Sequence, residues 1–549
     1  MMRDDVGADA QLIIRNANVR TMVGREQAEA VAIRNGRIEA VGTDAAVMAR
    51  RRPATTVIDA AGGTVLPSVI DSHTHFHRAA IFQALYVDFE RLASASISDV
   101  VAAVGDAAAL TPRGAWIQGD NLRDFRLAEQ RWPVRQELDR VAPDHAVVLR
   151  SLGKHLVIAN SLALHLAGID RDTPEPVGGK IDRDASGEPT GVLHETAKLR
   201  LDSARRDTIL PEPTEDERLA ALRAGIAQLQ RHGISTIHEI VTRPDEIADY
   251  QRLRERGELG VRVRYYIRAV EAQTSLAQIL ALGLRSGFGD DWIRIGGIKI
   301  SVDGSCESRN AALYEPYPGQ PDNRGLIRVP QEELNDLFRQ ADRCGIQIAV
   351  HAIGPRAADM ALRAYEAALG DRGNERLRHR LEHMYVQAPH DHFVRARRLG
   401  LILSEQPALI HASGDAWLDI FGSDGLERMM PLRMALDMGF TVQANSDHPS
   451  TPIDPFVGIM GAVTRRSRNG VVVDASQAID VHEAMAMMTS VPAATTFEEG
   501  VAGTIEPGKR ADLRIVDTDP YTCAPEALDR IVVRAALLDG TVVHSDGLI

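Results

Sequence analysis

Only three cysteines occur in 549 residues, and Cys306, Cys344 and Cys523 are too scattered and odd in number for a disulfide framework. A basic excess is also missing. The formal net charge is −13, which favours solubility and offers nucleic acid no cationic face. The opening MMRDDVGADAQL lacks the basic-then-apolar pattern of a secretion signal. No stretch approaches about 18 uninterrupted apolar residues, the length that reads as a membrane span. Repeats and low-complexity runs are absent, apart from the arginine-rich Met48–Arg52, which reads as a solvated helix end. The pairs Gly62-Gly63, Gly178-Gly179 and Gly296-Gly297 lack the spacing of a phosphate-binding loop and read as turns. What is left is a soluble cytoplasmic protein, with no nucleic-acid or membrane partner and with a homo-oligomer such as a dimer left open. The hydrophobic share of 44% and charged share of 25% are ordinary for a soluble enzyme.

Both ends of the chain read as short strands. LIIRNANVRT, EAVAIRNGRIEAVG and TVIDAAGGTVLPSV lie at the start, with a hairpin turn at Asn35-Gly36, and ADLRIVDTD and IVVRAALLDGTVVHSDG lie at the finish. The two ends are expected to build one small β-sandwich, from 1–66 and 491–549. Between them, over 67–490, apolar strands alternate with helical segments such as Glu215–His232 and Gln331–Cys344. This α/β pattern predicts a parallel sheet closed by crossover helices. The strands read as Ser68–His75, Ile234–Ile240, Val261–Val270, Ile293–Asp303, Gln347–Gly354, Arg378–Met384, Leu401–Gln406 and Thr441–Asp447. Eight strand–helix units predict a (β/α)8 TIM-type barrel. The stretch of about 80–215 after strand one is too long for a crossover and reads as an inserted cap, with Trp116, Phe125 and Trp132.

In IDSHTHFH, His73 and His75 sit two apart near a strand end, so both imidazoles leave one face. That spacing suits one divalent ion, with Zn–N distances of about 2.0–2.1 Å. His77 continues the series beyond the strand. Three other strands end in residues of the same type: His351 in phase with Ala349 and Ile353, His383 in phase with Leu381, and Asp447 closing strand eight. Active sites of this architecture form where strand C-termini converge. Lys299 shares the inner face of its strand with Ile295, Gly297 and Ser301. A lysine in a barrel core is costly unless paired or chemically changed. It either becomes a carbamate bridging two metals or pairs with Asp303 or Asp447. His238, inward on strand two, either polarises a substrate carbonyl or is a hydrogen-bonded core residue. Arg309, in SCESRNAAL, either meets a substrate anion or braces its loop. His482-Glu483 reads as structural.

The segments VIDSHTH, GKHLVIANSLAL, GGKIDRDASGEPTGVLHE, GGIKISVDGS, VHAIG, RHRLEHM, ANSDHP and GTIEPGKRADL together resemble the amidohydrolase superfamily. Within it they resemble amidohydrolase family 3, the subgroup with N-substituted formamide deformylase-like enzymes, over nearly the whole chain. The resemblance implies His73, His75, Lys299 as a carbamate, His351, His383 and Asp447 around one or two divalent ions, zinc foremost. Asp447 would also carry the proton. His155 and Asn160 match a subgroup motif in the cap, as substrate contacts or as anchors of the cap itself. The chain departs from the usual pattern at Pro67-Ser68, His238-Glu239, Pro355 and His448, which bears on substrate rather than on chemistry.

The implied activity is hydrolysis of an amide-type C–N bond, as in an N-acyl or N-formyl amine, by metal-activated water. A lyase or isomerase on the same fold is the alternative enzyme, and a non-catalytic binding protein the alternative of another class.

Overall fold

The computed structural model describes residues 10–89, 95–124, 127–151, 156–176, 179–201, 208–269 and 275–548. The chain divides into two compact units, Met1–Phe76 with Gly225–Ile549, and His77–Ala224.

In the larger unit eight parallel strands form one sheet in chain order. They are β1 (Val69–Thr74), β2 (Ile234–Val241), β3 (Arg262–Arg268), β4 (Ile293–Ser301), β5 (Gln347–His351), β6 (Arg380–Glu382), β7 (Ile402–Glu405) and β8 (Val442–Ala444). β1 and β2 are buried along their whole length, as expected of parallel strands covered on both faces. Past the end of β8 the chain returns to β1. The Asp447 amide donates to the His73 carbonyl and the His75 amide to the His448 carbonyl, both at 2.9 Å. The Ser72 hydroxyl adds a bond of 3.1 Å to the Ala444 carbonyl. These bonds bring the sheet to a nearly closed TIM-type barrel.

The helices before and after β5 each bury one apolar face. On α1 (Gln331–Cys344) the buried Leu334, Phe338 and Ala341 recur at helical spacing, and Gly345 ends the helix at φ +77°. α2 (Pro355–Leu369) starts with proline at its first position, where the missing N–H costs nothing. Gly354 before it is obligatory on steric grounds, since a Cβ there would lie 2.3 Å from the Ala312 carbonyl oxygen.

Inside the barrel, register aligns Lys299 with Ala349 and Arg380, and Ser301 with His351 and Glu382. These positions share the inner face, whereas Ile298, Ile300 and Leu381 are buried on the other side of the sheet. β6 and β8 are shorter than the sequence suggests. Positive φ at Arg378 and His383 bounds β6, and positive φ at Asp447 marks the turn beyond β8.

The chain ends form a sandwich. One four-stranded sheet runs in the order Arg37–Gly42, Ala30–Arg34, Leu12–Arg15 and Thr56–Asp59. The other interleaves both termini, in the order Thr541–Ser545, Val533–Leu538, Leu513–Val516, Thr64–Pro67, Asn18–Arg20 and Gln27–Ala28. Ile14, Val31, Ile33 and Ile58 of the first meet Val65, Leu513, Ile515 and Leu537 of the second in one core. Asn35 and Gly36, at φ +51° and +74°, make the tight hairpin turn that Asn-Gly favours.

The smaller unit carries a six-stranded sheet in the order Gly179–Arg183, Pro189–Glu195, Leu156–Ala159, Val147–Ser151, Ile117–Leu122 and Val87–Asp88. It packs two separate apolar cores, with Trp132 against one and Trp116 against the other. Phe125 and His155 lie outside the described residues. No helix among the described residues is long and apolar enough to cross a membrane.

Candidate metal centre

At the C-terminal ends of the barrel strands most of the metal-ligand candidates singled out in the sequence converge. His73 Nε2 and His75 Nε2 each stand 3.5 Å from Asp447 Oδ1. One donor atom from each of these three residues lies within 4.8 Å of the others. Lys299 Nζ sits 3.3 Å from His73 Nε2 and 3.4 Å from His383 Nε2. The His383 ring centroid is 4.8 Å from those of both His73 and His351. His351 Nε2 in turn is 3.4 Å from Asp303 Oδ1 and from the Gly304 carbonyl oxygen.

Burial sets the protonation states. It holds the His73 and His351 imidazoles well below their ordinary range, helped at His73 by the Lys299 charge and at His351 by His383. His383 is pushed down to about 3 by burial and then by Lys299. Neutral imidazoles are the form that binds metal. Burial also lowers Lys299 to about 7 and, against the pull of Lys299, raises Asp447 to about 7. Among the described residues no direct salt bridge joins Lys299 to Asp303 or Asp447, although the Asp447 charge acts on the Lys299 amine. Asp303 is instead held by the amides of Ala312, Ile353 and Gly354 at 2.8–3.0 Å.

The donor set fits a divalent ion. His73 Nδ1 faces Glu382 Oε2 at 2.8 Å, and His383 Nδ1 faces Gln406 Oε1 at 2.7 Å. A carboxylate and an amide oxygen only accept, so each Nδ1 carries the proton and each Nε2 lone pair is turned into the site. Two imidazoles and a carboxylate also form a familiar catalytic zinc set, leaving one position open. Glu382 is close enough to His73 and His383 to be grouped with them, but it meets the rear nitrogen of His73 and is its hydrogen-bond partner.

Residues 56–544 match the profile of the amidohydrolase family. The chain belongs to that family. This amidohydrolase is 32% identical over 541 residues to "N-substituted formamide deformylase" of Arthrobacter pascens, with 97% of this chain and 98% of that protein covered. It is 28% identical to "Putative amidohydrolase YtcJ" of Bacillus subtilis (strain 168), with 94% and 96% covered. Uncharacterised metal-dependent hydrolases from Pyrococcus horikoshii and Pyrococcus furiosus share the fold, with TM-scores of 0.75 and 0.74 and identities of 22% and 25%. The comparison covers 94% of this chain and 99% of the first, and 93% and 100% for the second. Family membership makes the protein a metal-dependent hydrolase of C–N bonds other than peptide bonds.

For two residues of this amidohydrolase the sequence leaves two roles open. His238 is fully buried, takes the Arg380 guanidinium on Nδ1 at 3.0 Å and stacks on Tyr266 at 5.6 Å. Enclosed in this way it has the surroundings of a core histidine, although its buried Nε2 meets no hydrogen-bond partner among the described residues. Asn160 is also fully buried, and its amide is spent on the fold of the smaller unit. Its oxygen accepts from the amides of Val147 and Ala163, and its nitrogen donates to the His145 carbonyl, at 2.8–3.0 Å. It caps the helix Ser161–Ala167 and is an anchor rather than a substrate contact. Arg309 lies half-buried in the turn after β4 at φ +54°, with its carbonyl accepting from Asn323 at 3.1 Å.

Sequence reasoning missed Glu382, Arg380, Gln406 and Asp71. Asp71 accepts both the amide and the hydroxyl of Ser446, at 3.0 and 2.5 Å, and so braces the turn that carries Asp447. A signal existed for two of them: RHRLEHM places two charges on alternate positions of a strand whose inner face is otherwise closed to water.

Proposed function

We propose that this amidohydrolase hydrolyses an exocyclic amide-type C–N bond, of the N-acyl or N-formyl amine kind, at a zinc centre of one or two ions. The convergence of His73 Nε2 and His75 Nε2 on Asp447 Oδ1, beside the buried Lys299 amine, carries the reading. The deformylase relative supports the bond type, being alike along nearly its full length.

In this reading His73, His75 and Asp447 would hold one ion, and His351 and His383 would be available to a second. Lys299, as a carbamate, would supply the centre with a further carboxylate. It forms when the neutral Nζ attacks carbon dioxide, making one N–C bond and releasing one proton. A divalent ion held there supplies Lewis acidity, which brings the pKa of water down to about 7. Asp447 takes the proton of the attacking water and passes it to the amide nitrogen as the C–N bond breaks, leaving a carboxylic acid and an amine. A carboxylate suits this shuttle because it accepts and donates within one turnover. The rear hydrogen bonds of His73 and His383 keep both rings aimed during the cycle.

Metal analysis of the purified protein, coupled to a screen of N-formyl and N-acyl amines, tests the proposal. Prolonged chelation should abolish turnover, added zinc should restore it, and isotope-labelled water should mark the acid product. Full activity in metal-free protein, or an unlabelled product, would overturn it.

A further inference from the structure

Beneath the ring of donors lies an ion pair with no access to solvent. Arg380 and Glu382 are both 0% exposed and both point into the barrel from β6. Glu382 uses each oxygen separately: Oε1 accepts from Arg380 Nε at 2.6 Å and Oε2 faces His73 Nδ1 at 2.8 Å. Arg380 spends its other two nitrogens on the Ser72 carbonyl, at 2.8 Å, and on His238 Nδ1, at 3.0 Å. Its guanidinium lies 4.3 Å from the centre of the Tyr266 ring, so its face is covered as well.

Removing two charges from water is expensive, and a well-packed apolar pair of similar volume is often as stable or more so. Stability therefore does not account for the pair, whereas its geometry toward His73 does. Glu382 holds the ring from behind and admits only the tautomer whose Nε2 lone pair faces the donors. Arg380 fixes the carboxylate and also grips the backbone one residue before His73, so ring and strand are held by one guanidinium.

We infer that Arg380 and Glu382 are positioning residues of the metal centre, which set the orientation and donor strength of His73. This rests on the zinc site proposed above and extends it to two residues that touch neither metal nor substrate. Glu382→Gln keeps the shape but removes the charge that orders the pair. Glu382→Asp keeps the charge but withdraws it by one methylene.

The test is zinc affinity of the full-length, chelator-stripped chain, measured by competition with a chromogenic chelator, with no substrate present. Glu382→Gln should bind zinc about 10–100-fold more weakly than the wild type, and Glu382→Asp should also lose affinity, to a smaller extent. Glu498→Gln is the control, since it removes a buried carboxylate that is bonded to Arg264 and Arg510 and, among the described residues, makes no bond to His73, Arg380 or Glu382. It should keep wild-type zinc affinity. Cobalt(II) in place of zinc should show altered visible bands in the Glu382 variants and unaltered bands in the control. If Glu382→Gln does not fold, Glu382→Asp answers the same question. Wild-type affinity in either folded Glu382 variant, or an equal loss in Glu498→Gln, overturns the inference. A wild-type chain that binds no zinc is a separate result, seen before any variant, and removes the proposed site along with it.

Discussion

Replacing Glu498 with Gln exchanges a buried negative charge for a neutral amide of the same shape. Arg264 donates to the Glu498 carboxylate through two nitrogens, both at 2.7 Å, and Arg510 adds a third bond at 3.1 Å. The Arg264 side chain is 0% exposed and that of Glu498 is 5% exposed. The amide offers a single acceptor and turns its NH2 group toward a guanidinium that cannot accept. Leaving one partner of such a pair uncompensated costs about 3–5 kcal/mol. Unfolding entropy is about 2.1 cal/mol/K per residue, so over a unit of roughly 400 residues the melting temperature should fall by about 4–6 °C. Differential scanning calorimetry at pH 7 measures it. Burial pushes the Glu498 carboxyl up, but the hydrogen bonds and charge of Arg264, with Arg510, outweigh it and hold the group well below the carboxylate range. Its stabilisation is therefore complete above the unfolded-state pKa of about 4.3 and is lost as acid titrates the folded group. The gap between variant and wild type should be full at pH 7 and close in strong acid. A shift under about 1 °C at pH 7, or a gap that widens in acid, would refute the reasoning.

Two further outcomes test the chemistry. Asp447→Asn should bind zinc more weakly and lose about 10²–10⁴-fold in kcat, because an amide cannot shuttle a proton. Near-native turnover in the folded variant would assign that proton to another group. Lys299→Ala should lose metal and activity together, and bicarbonate or a short carboxylate should partly restore both by occupying the vacated bridge. A high-resolution map with an unmodified Lys299 amine in fully metallated, active enzyme would end the carbamate reading.

The barrel was legible because its strands keep the period-two rule where they are long. On the nine-residue β4 the alternation assigns Lys299 to the inside and Ile298 and Ile300 to the outside, as the structure has them. On β6 the same rule misleads. It puts His383 in phase with Leu381, yet the inner face belongs to Arg380 and Glu382, and His383 lies beyond the strand at φ +69°. A left-handed residue resets the phase, and periodicity carries no sign of it. Glu382 escaped notice because its meaning depends on His73, 309 positions earlier in the chain. Asn160 is open in the sequence for another reason. Resemblance transfers a position but not a role, and here every polar atom of the side chain is taken up by the backbone around it.

The bonds that join His73 to Asp447 and His75 to His448 also have a bearing on synthesis. They tie residues some 370 positions apart, Thr74 and His448 among them at a separation of 374. The first histidines leave the ribosome early, but their carboxylate partner arrives only after seven more strands have been made. Contacts this distant in sequence form late, since closing a long loop must precede any return from the contact. A nascent or cleaved chain that stops before β8 has the histidine pair without Asp447 and an open edge where the barrel should shut. On the proposed reading, completion of the barrel and completion of the ligand set would thus be one event, so loading with metal would report that the barrel has closed.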